Sequence, residues 1–511
     1  MVLAGRISRR AVRIAAVVVA GLVVALLGLG CASSTPARQE FVELRTRSFH
    51  LTSSLSEEET REFARRLEFF HAGVLLLLGL DEEATPGVPT PVLLFDDRSF
   101  GRPFALNNDA AYLLDAVDAP VLVFRSARDF TARATPDLRH RYAHRVLRDH
   151  SREERPLWYE EGVAQLARTL EEVGDGVRIG RVDGELTRLV LDWRREDLLS
   201  VLQRTDLSGA TRLQRELFDA QVWSIAHTLE FSGRAGSASD SLLDRYREAL
   251  DSKDAAVREE AFDAIGLSPA ALVARIYRHL EARQSRVRVI EPRGYDPRRV
   301  TLAPISRAES RTRLGELALS IDRPELAARH FELALEDEPD HLRARIGHVE
   351  ATARQGTLGS VEEMFEILAL APDAPGALQV AAGDAARAIA RASVDPAVRS
   401  RARDLARERY AAVLAGAEPS ARAQLGMALS YLEIEGEDAA ASLEWIEAAR
   451  RIRAGSLRLE LALAEAEART GAVRSAQIRA RNVVSRTHDV YLERSARDLL
   501  DRIGGGSGDG S

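Results

Sequence analysis

The sequence of 511 residues is poor in lysine, and its basic residues do not outnumber its acidic ones. Lys253 is the single lysine among 71 lysines and arginines, so arginine supplies almost all of the positive charge, spread evenly along the chain. The 78 acidic residues exceed this number, whereas a protein that binds nucleic acid concentrates basic residues on one face. The composition therefore gives no sign of a polyanionic partner, and we expect no nucleic-acid binding.

Cysteine and aromatic residues are also scarce. Cys31 is the only cysteine, which excludes an internal disulfide and any disulfide framework. Aromatic residues make up 5% of the sequence, while alanine, leucine, arginine and glutamate are abundant, and this bias favours helix over sheet. The chain is too long for one hydrophobic core, so two or three domains are expected.

Residues 1–30 have the composition of an export signal. Four arginines between positions 6 and 13 form a positive start, and an apolar, glycine-containing run follows from Ile14 to Gly30. Cys31 ends this run and opens a small, polar tether over residues 31–40. This arrangement resembles a bacterial lipoprotein signal, in which a small residue precedes the cysteine that is lipidated and becomes the mature N-terminus.

An uncleaved N-terminal anchor is the alternative to a lipoprotein, because about 17 apolar residues are just long enough to span a bilayer. Either interpretation predicts an exported protein that is anchored at a membrane of the bacterial cell envelope. The lipoprotein resemblance, with no acidic residue directly after Cys31, favours the outer membrane or periplasm.

The region 41–290 begins with signals for short strands. Phe41–Leu51 alternates apolar and polar residues, which is typical of a strand. Ser56 then opens a helix that should continue to about Leu80, with acidic residues in its first turn. Pro91–Phe95 is apolar and predicts a short buried strand.

A hairpin and a long helical stretch complete this region. Ala111–Leu114 and Val121–Phe124 predict two paired strands. From Asp137 onward the pattern is helical almost throughout. We therefore predict an α+β domain over residues 41–290, made of a small sheet followed by a helical bundle.

The most informative pattern is a histidine pair followed by a glutamate. His140 and His144 are four positions apart, so on a helix they share one face and can hold one cation. Glu161 follows within the segment from Trp158 to Gly162. This resembles the gluzincin peptidases, particularly the peptidase-MA-like group, which carry a His-Glu-x-x-His helix and a Trp-x-x-Glu-Gly helix. The resemblance implies that His140, His144 and Glu161 would bind zinc, with Trp158 and Gly162 at the flanking motif positions.

Two positions depart from this resemblance. Arg141 stands where these peptidases have the general-base glutamate, and a guanidinium cannot accept the proton of a metal-bound water. A positioned base contributes about 10²–10⁴-fold in rate. Glu160 is not expected to replace it, because on a helix it points about 100° away from Glu161. Asp219 stands where the family usually carries a tyrosine, and Val121–Phe124 would be the edge strand that lines the family's substrate cleft.

Residues 291–306 are rich in turn-forming residues and predict a linker, after which a helical pattern repeats over residues 307–502. Small and apolar residues there fall at the spacings of the tetratricopeptide repeat (TPR), which is about 34 residues long. These residues are Leu314, Gly315, Ala327, Phe331, Ala334 and Pro339. We expect an all-α, TPR-like solenoid of four or five helix pairs, in which Phe331 fills the gap between repeats. A helical insertion near residues 382–401 and a flexible tail over residues 503–511 complete the prediction.

The sequence favours one function and leaves two alternatives open. In the favoured interpretation the protein is a pseudo-metallopeptidase, for which zinc is a possible cofactor. It acts as a scaffold and binds a protein or peptide partner in the groove of its repeats. The first alternative is an active zinc metallopeptidase that uses an unconventional general base. The second is a metal-free, structural TPR lipoprotein.

Overall fold

The computed structural model describes most of residues 40–504, and these belong to one compact unit. The predicted export signal, Cys31 and residues 505–511 lie outside the described residues, as do residues 291–299 of the predicted linker. Further gaps in the description fall at 81–88, 97–101, 106–110, 118–119, 126–135, 152–153, 175, 194–197, 233–240, 283–286, 371–372 and 433–438. Among the described helices, none is both long and apolar enough to cross a bilayer.

Within the described part of the chain, the strands lie between residues 42 and 304. They are β1 (Val42–Arg45), β2 (Phe49–Ser53), β3 (Thr90–Leu94), β4 (Ala111–Leu114), β5 (Val121–Phe124), β6 (Glu171–Val173), β7 (Gly176–Ile179), β8 (Arg288–Ile290) and β9 (Leu302–Pro304). Six of them form one sheet in the order β4-β5-β3-β2-β1-β9, and the other three form a second sheet in the order β6-β7-β8. In the first sheet β2, β3 and β5 run parallel, and the remaining neighbours are antiparallel.

The structure corrects two predictions about the first sheet. Phe41–Leu51 is not one strand, because a turn at Thr46, whose hydroxyl accepts a hydrogen bond from the amide of Phe49 at 2.9 Å, folds it into the β1–β2 hairpin. The strand Val121–Phe124 is not at the edge, since β4 pairs along its outer side and is itself the edge strand. Leu302–Pro304, within the predicted linker, pairs with β1 and extends the sheet.

Helices α1–α8 lie between β2 and β8 along the chain. They are α1 (Glu57–Leu77), α2 (Pro136–His150), α3 (Leu157–Arg168), α4 (Gly184–Asp192), α5 (Arg212–Phe231), α6 (Leu242–Leu250), α7 (Ala255–Glu259) and α8 (Pro269–Ala282). Helix α1 begins at a capping box, in which Ser56 and Glu59 satisfy each other's backbone amides. The pattern predicted as helical almost throughout after Asp137 is interrupted at β6 and β7, two short antiparallel strands with Gly174 at a φ of 58° after the first of them.

The rest of the described chain is helical. Its helices are α9 (Arg307–Ser320), α10 (Pro324–Asp337), α11 (Leu342–Arg354), α12 (Val361–Leu368), α13 (Gly376–Ala392), α14 (Pro396–Leu414), α15 (Ala421–Leu432), α16 (Ala440–Ile452), α17 (Leu457–Arg469), α18 (Val473–Arg486) and α19 (Val490–Gly504). Five successive pairs, from α9–α10 to α17–α18, precede the last helix. A small N-terminal sheet followed by helical repeats is therefore confirmed. Residues 382–401 are not an insertion, because they belong to α13 and α14, which pack along each other as a pair.

Aromatic rings fill the spaces between neighbouring repeats. A methyl group added at Gly315 would lie 2.6 Å from the ring of Phe331, which also lies against Gly347. Tyr410 repeats this arrangement, since its ring lies in the same way against Gly383 and Gly426. In both cases the missing side chain lets a ring occupy the contact between helices, so the packing device recurs along the array.

The helical repeats contact the first region of the chain, which comprises residues 41–304, at both of their ends. The faces of the first sheet alternate along each strand, so that Val92 and Leu94 pack towards α1 and α2, while Leu93 and Phe95 pack towards α9 and α10. At the other end, the turn before α17 contacts α2, where a methyl group on Gly455 would lie 2.6 Å from the Cβ atom of Arg148. The solenoid thus starts on the sheet and ends beside α2.

Candidate metal centre

Helices α2 and α3 bring the three predicted ligands together. His140 and His144 lie on the buried face of α2, and Glu161 faces them from α3. The Nε2 atoms of the two histidines are 3.2 Å apart. Glu161 places its Oε1 atom 3.0 Å from Nε2 of His140 and its Oε2 atom 3.2 Å from Nε2 of His144. The α-helical spacing of the histidines and the packing of α2 on α3 therefore create a convergent donor set.

A fourth donor comes from the far end of the chain. His488 lies between α18 and α19, and its Nε2 atom is 3.2 Å from Nε2 of His140 and 3.1 Å from Nε2 of His144. It is also 3.6 Å from Oε2 of Glu161. Among the described residues, these four form the group of side chains whose donor atoms all lie within 4.8 Å of one another. The sequence analysis missed His488, because no spacing relates a histidine at a helix junction to a motif more than 300 residues earlier.

The spacing of these donors suits zinc. A tetrahedral ion with metal–ligand bonds of about 2.0–2.1 Å has ligand atoms about 3.3 Å apart. The three imidazole Nε2 atoms are 3.1 to 3.2 Å apart, and each of them lies 3.0 to 3.6 Å from one or the other carboxylate oxygen of Glu161. Imidazole nitrogen and carboxylate oxygen are both common zinc ligands, and this donor set is typical of zinc in proteins.

Glu160 supports the centre from outside. Its Oε1 atom is 3.0 Å from Nδ1 of His144, on the side of the ring away from the other donors. Arg148 contributes a hydrogen bond to the same carboxylate at 2.6 Å, and Arg486 donates to its other oxygen. A neutral His144 that donates its Nδ1 proton to Glu160 presents a bare lone pair at Nε2. This is the carboxylate–histidine arrangement that orients ligands in metal sites, and it gives Glu160 a role other than that of a base.

The electrostatics of the centre favour the ligand forms of Glu161 and His140, whereas they favour the protonated form of His144. Burial opposes ionisation of Glu161, but the imidazoles of His140 and His144 outweigh it and hold the pKa of this carboxyl well below its usual range. Burial lowers the pKa of His140, which favours its neutral imidazole. Burial also disfavours a charge on His144, yet Glu161 and Glu160 outweigh it and raise the pKa of that ring. The two carboxylates thus attract positive charge to the point where the donors meet.

The two flanking motif residues hold α3 in place. Trp158 is buried and its ring packs on that of Tyr246, with centroids 4.9 Å apart. Gly162 lets α3 approach α5 closely, because a methyl group there would lie 2.9 Å from the carbonyl oxygen of Val222. Both residues therefore position Glu161 through packing, and neither adds a donor to the centre.

Two residues depart from the peptidase pattern. Arg141 is next to the donors in sequence, and Asp219 is close enough to feel the charge of Glu161. Arg141 follows His140 on α2 and is partly buried. Asp219 lies on α5, where burial and the nearby charge of Glu161 raise its pKa well above the usual range. Arg141 cannot act as a proton acceptor. The carboxylate of Glu160 already contacts His144, Arg148 and Arg486.

No protein-family model matches this sequence, and no curated protein matches it. Among solved structures, a thermophilic TPR protein of Thermus thermophilus is similar to part of the chain. That match has 18% sequence identity and a TM-score of 0.33, and it covers 38% of this chain and 98% of that protein.

Proposed function

We propose that this protein is a zinc-binding, peptidase-like scaffold with impaired catalysis, which uses its helical repeats to bind a protein partner. The observation that carries the proposal is the convergence of His140, His144 and Glu161, together with an arginine that directly follows His140 in the sequence. The donors that a zinc peptidase needs lie together, while Arg141 occupies the position of the proton acceptor.

Zinc would supply one kind of chemistry here, since a bound zinc ion lowers the pKa of a coordinated water to about 7. The residues of this chain are arranged to hold the ion. His140 and His144 provide nitrogen donors, Glu161 provides charge, and Glu160 orients His144. The proton transfer that would complete hydrolysis lacks a carboxylate base at position 141, so we propose a binding role instead of efficient proteolysis.

Export and membrane anchoring are further parts of the proposal. Their support is the arginine-rich start, the apolar run and Cys31, which together resemble a lipoprotein signal. On this basis the folded part of the protein acts outside the cytoplasm, at the outer membrane or in the periplasm. The partner would be a protein or peptide, because stacked helix pairs present an extended surface to which such chains can bind.

Zinc analysis and a peptidase assay on the same preparation test this function. We expect the full-length protein, purified in detergent, to carry about one zinc per chain and to show no chelator-sensitive cleavage of casein or of a mixed peptide library. His144→Ala should lose the zinc. His348→Ala changes a histidine of α11 outside the centre and should retain it.

Two results would replace the proposal with its alternatives. Clear cleavage that a chelator abolishes, and that His144→Ala also abolishes, would make the protein an active peptidase with an unconventional base. Absence of zinc after growth and purification in zinc-containing buffer would leave a metal-free repeat protein.

A further inference from the structure

We propose that His488 is a fourth zinc ligand, so that the centre is closed and the metal ties the end of the repeat array to helices α2 and α3. This inference rests on the proposed binding of zinc by His140, His144 and Glu161. It adds a ligand that the peptidase resemblance does not contain, and it assigns a structural role to the metal.

The geometry of His488 equals that of the two predicted histidine ligands. Its Nε2 atom is 3.2 Å and 3.1 Å from those of His140 and His144, and these two are themselves 3.2 Å apart. Three imidazole nitrogens at such distances cannot all donate to one another, because each contact needs one proton and one lone pair. A cation at their centre would accept a lone pair from each of them, and this satisfies all three rings at once.

The segment that carries His488 is held on both sides. On its N-terminal side, Arg486 binds Glu160 and accepts a 2.8 Å hydrogen bond on its carbonyl oxygen from Arg148. On its C-terminal side, Asp489 directly precedes α19, and its carboxylate accepts a hydrogen bond from the amide of Tyr491 at 2.9 Å. The ring of His488 is therefore presented by a braced junction between two helices, as preorganised metal ligands require.

The neighbouring residues fix α18 to the first region as well. Ser485 accepts a hydrogen bond from the amide of Leu207 at 2.9 Å and donates one to Asp206 at 2.9 Å. His488 therefore lies within an interface whose polar contacts are found on both sides of the donor centre. A metal ion would add a coordinate link to this interface, between His488 and a residue as far away in sequence as His140, 348 positions earlier.

A closed centre has a chemical consequence. Structural zinc sites have four protein ligands, whereas catalytic sites have three and keep a position for water or substrate. His488 occupies that fourth position. The side chain of His488 is 32% exposed, while those of His140 and His144 are 7% and 3% exposed, so the repeat-derived ligand forms the solvent side of the centre.

Zinc affinity of a matched pair of variants tests the inference. His488→Ala removes the proposed ligand, and His348→Ala removes a histidine of the repeats whose side chain is equally exposed, at 32%. We expect His488→Ala to weaken zinc binding, measured by competition with a chromogenic chelator, by at least tenfold, since loss of even an outer-shell partner costs about 10–100-fold. His348→Ala should bind zinc as the native protein does.

X-ray absorption of the native zinc protein provides a measurement that does not depend on a variant being folded. Three imidazoles and one carboxylate around the zinc would support the proposal. Two imidazoles with additional water oxygen, or unchanged affinity in a folded His488→Ala protein, would overturn it and leave the three-ligand site intact. A native protein that holds no zinc would instead overturn the proposed function, so the two failures are distinguishable.

Discussion

Nδ1 of His144 lies 3.0 Å from Oε1 of Glu160, so the two adjacent glutamates of α3 face opposite sides of one imidazole. Glu161 faces the donor centre, and Glu160 holds the ring from behind. The pair Glu160-Glu161 therefore performs two different tasks within one helical turn.

Glu160→Gln tests the supporting role. The amide retains the shape of the side chain but removes the charge that His144, Arg148 and Arg486 share, so we expect zinc affinity to fall by about 10–100-fold. Chelator competition measures the change. Glu154→Gln is the matched control, because Glu154 also pairs with Arg486, at 2.6 Å, but its side chain is 60% exposed. Equal zinc affinity in the two variants would contradict the role of Glu160.

A second prediction concerns the combined effect of Arg141 and His488 on hydrolysis. If His488 closes the centre, Arg141→Glu alone should remain inactive, because a base without an open zinc position has no water to deprotonate. We expect the double variant Arg141→Glu with His488→Ala to exceed either single variant in chelator-sensitive cleavage, by up to about 10²–10⁴-fold. Activity gained by Arg141→Glu alone would show that His488 does not block the fourth position.

Repeat packing predicts an unusual effect at Gly315. Helix propensity alone would make an alanine in the middle of α9 more stable by about 1 kcal/mol. The ring of Phe331 lies where the new methyl group would go, so we expect Gly315→Ala to lower the free energy of unfolding by about 1–3 kcal/mol. Urea denaturation measures it. Gly359→Ala is the control, since its nearest atom would be 3.9 Å away, and a stabilised Gly315→Ala protein would refute the packing argument.

Buried histidines predict a loss of stability in weak acid. The pKa of His227 is lowered to about 3, mainly by burial and to a smaller extent by the nearby His279. A histidine in the unfolded chain titrates near 6.5. Between these values the unfolded chain binds the additional proton, so the free energy of unfolding falls as the pH falls from about 6.5 to about 3. The slope from this group reaches about 1.4 kcal/mol per pH unit.

Two variants isolate that contribution. His227→Phe removes the buried titrating ring. It should reduce the slope of the unfolding free energy against pH by up to the contribution of one proton. Phe218→Leu changes a buried residue of the same helix that has no ionisable group, and it should leave the slope as it is. An unchanged slope in a folded His227→Phe protein would show that this ring does not contribute to acid sensitivity.

Local patterns in the sequence predict much of the donor set, and long-range contacts account for the rest. The four-residue spacing of His140 and His144 defines one face of α2, so their proximity follows from helix geometry. The position of Phe331 follows in the same way from the small residues around it. His488 reaches the centre through contacts between segments more than 300 residues apart, which no local spacing encodes. Phe41–Leu51 alternates through a turn, so its pattern fits one strand as well as two.

The position of β4 shows a further limit of such patterns. Two apolar strands of equal length predict a hairpin, but only the complete order of strands in the sheet reveals which of the two lies at the edge. Val121–Phe124 lies between β3 and β4, and its apolar composition fits this interior place as well as an edge. Strand order depends on contacts among segments that are distant in sequence, and a single sequence carries little information about them.

The pairing of β9 with β1, together with the first helix pair on the outer face of the same sheet, affects how this protein can be dissected or recombined. A truncation before residue 302 would expose the backbone of β1 and the side chains of Leu93 and Phe95 to water. Such a fragment would tend to associate with other copies of itself through that open edge. Exchanging the array for one from another repeat protein would require that β9 and the first helix pair stay with the sheet.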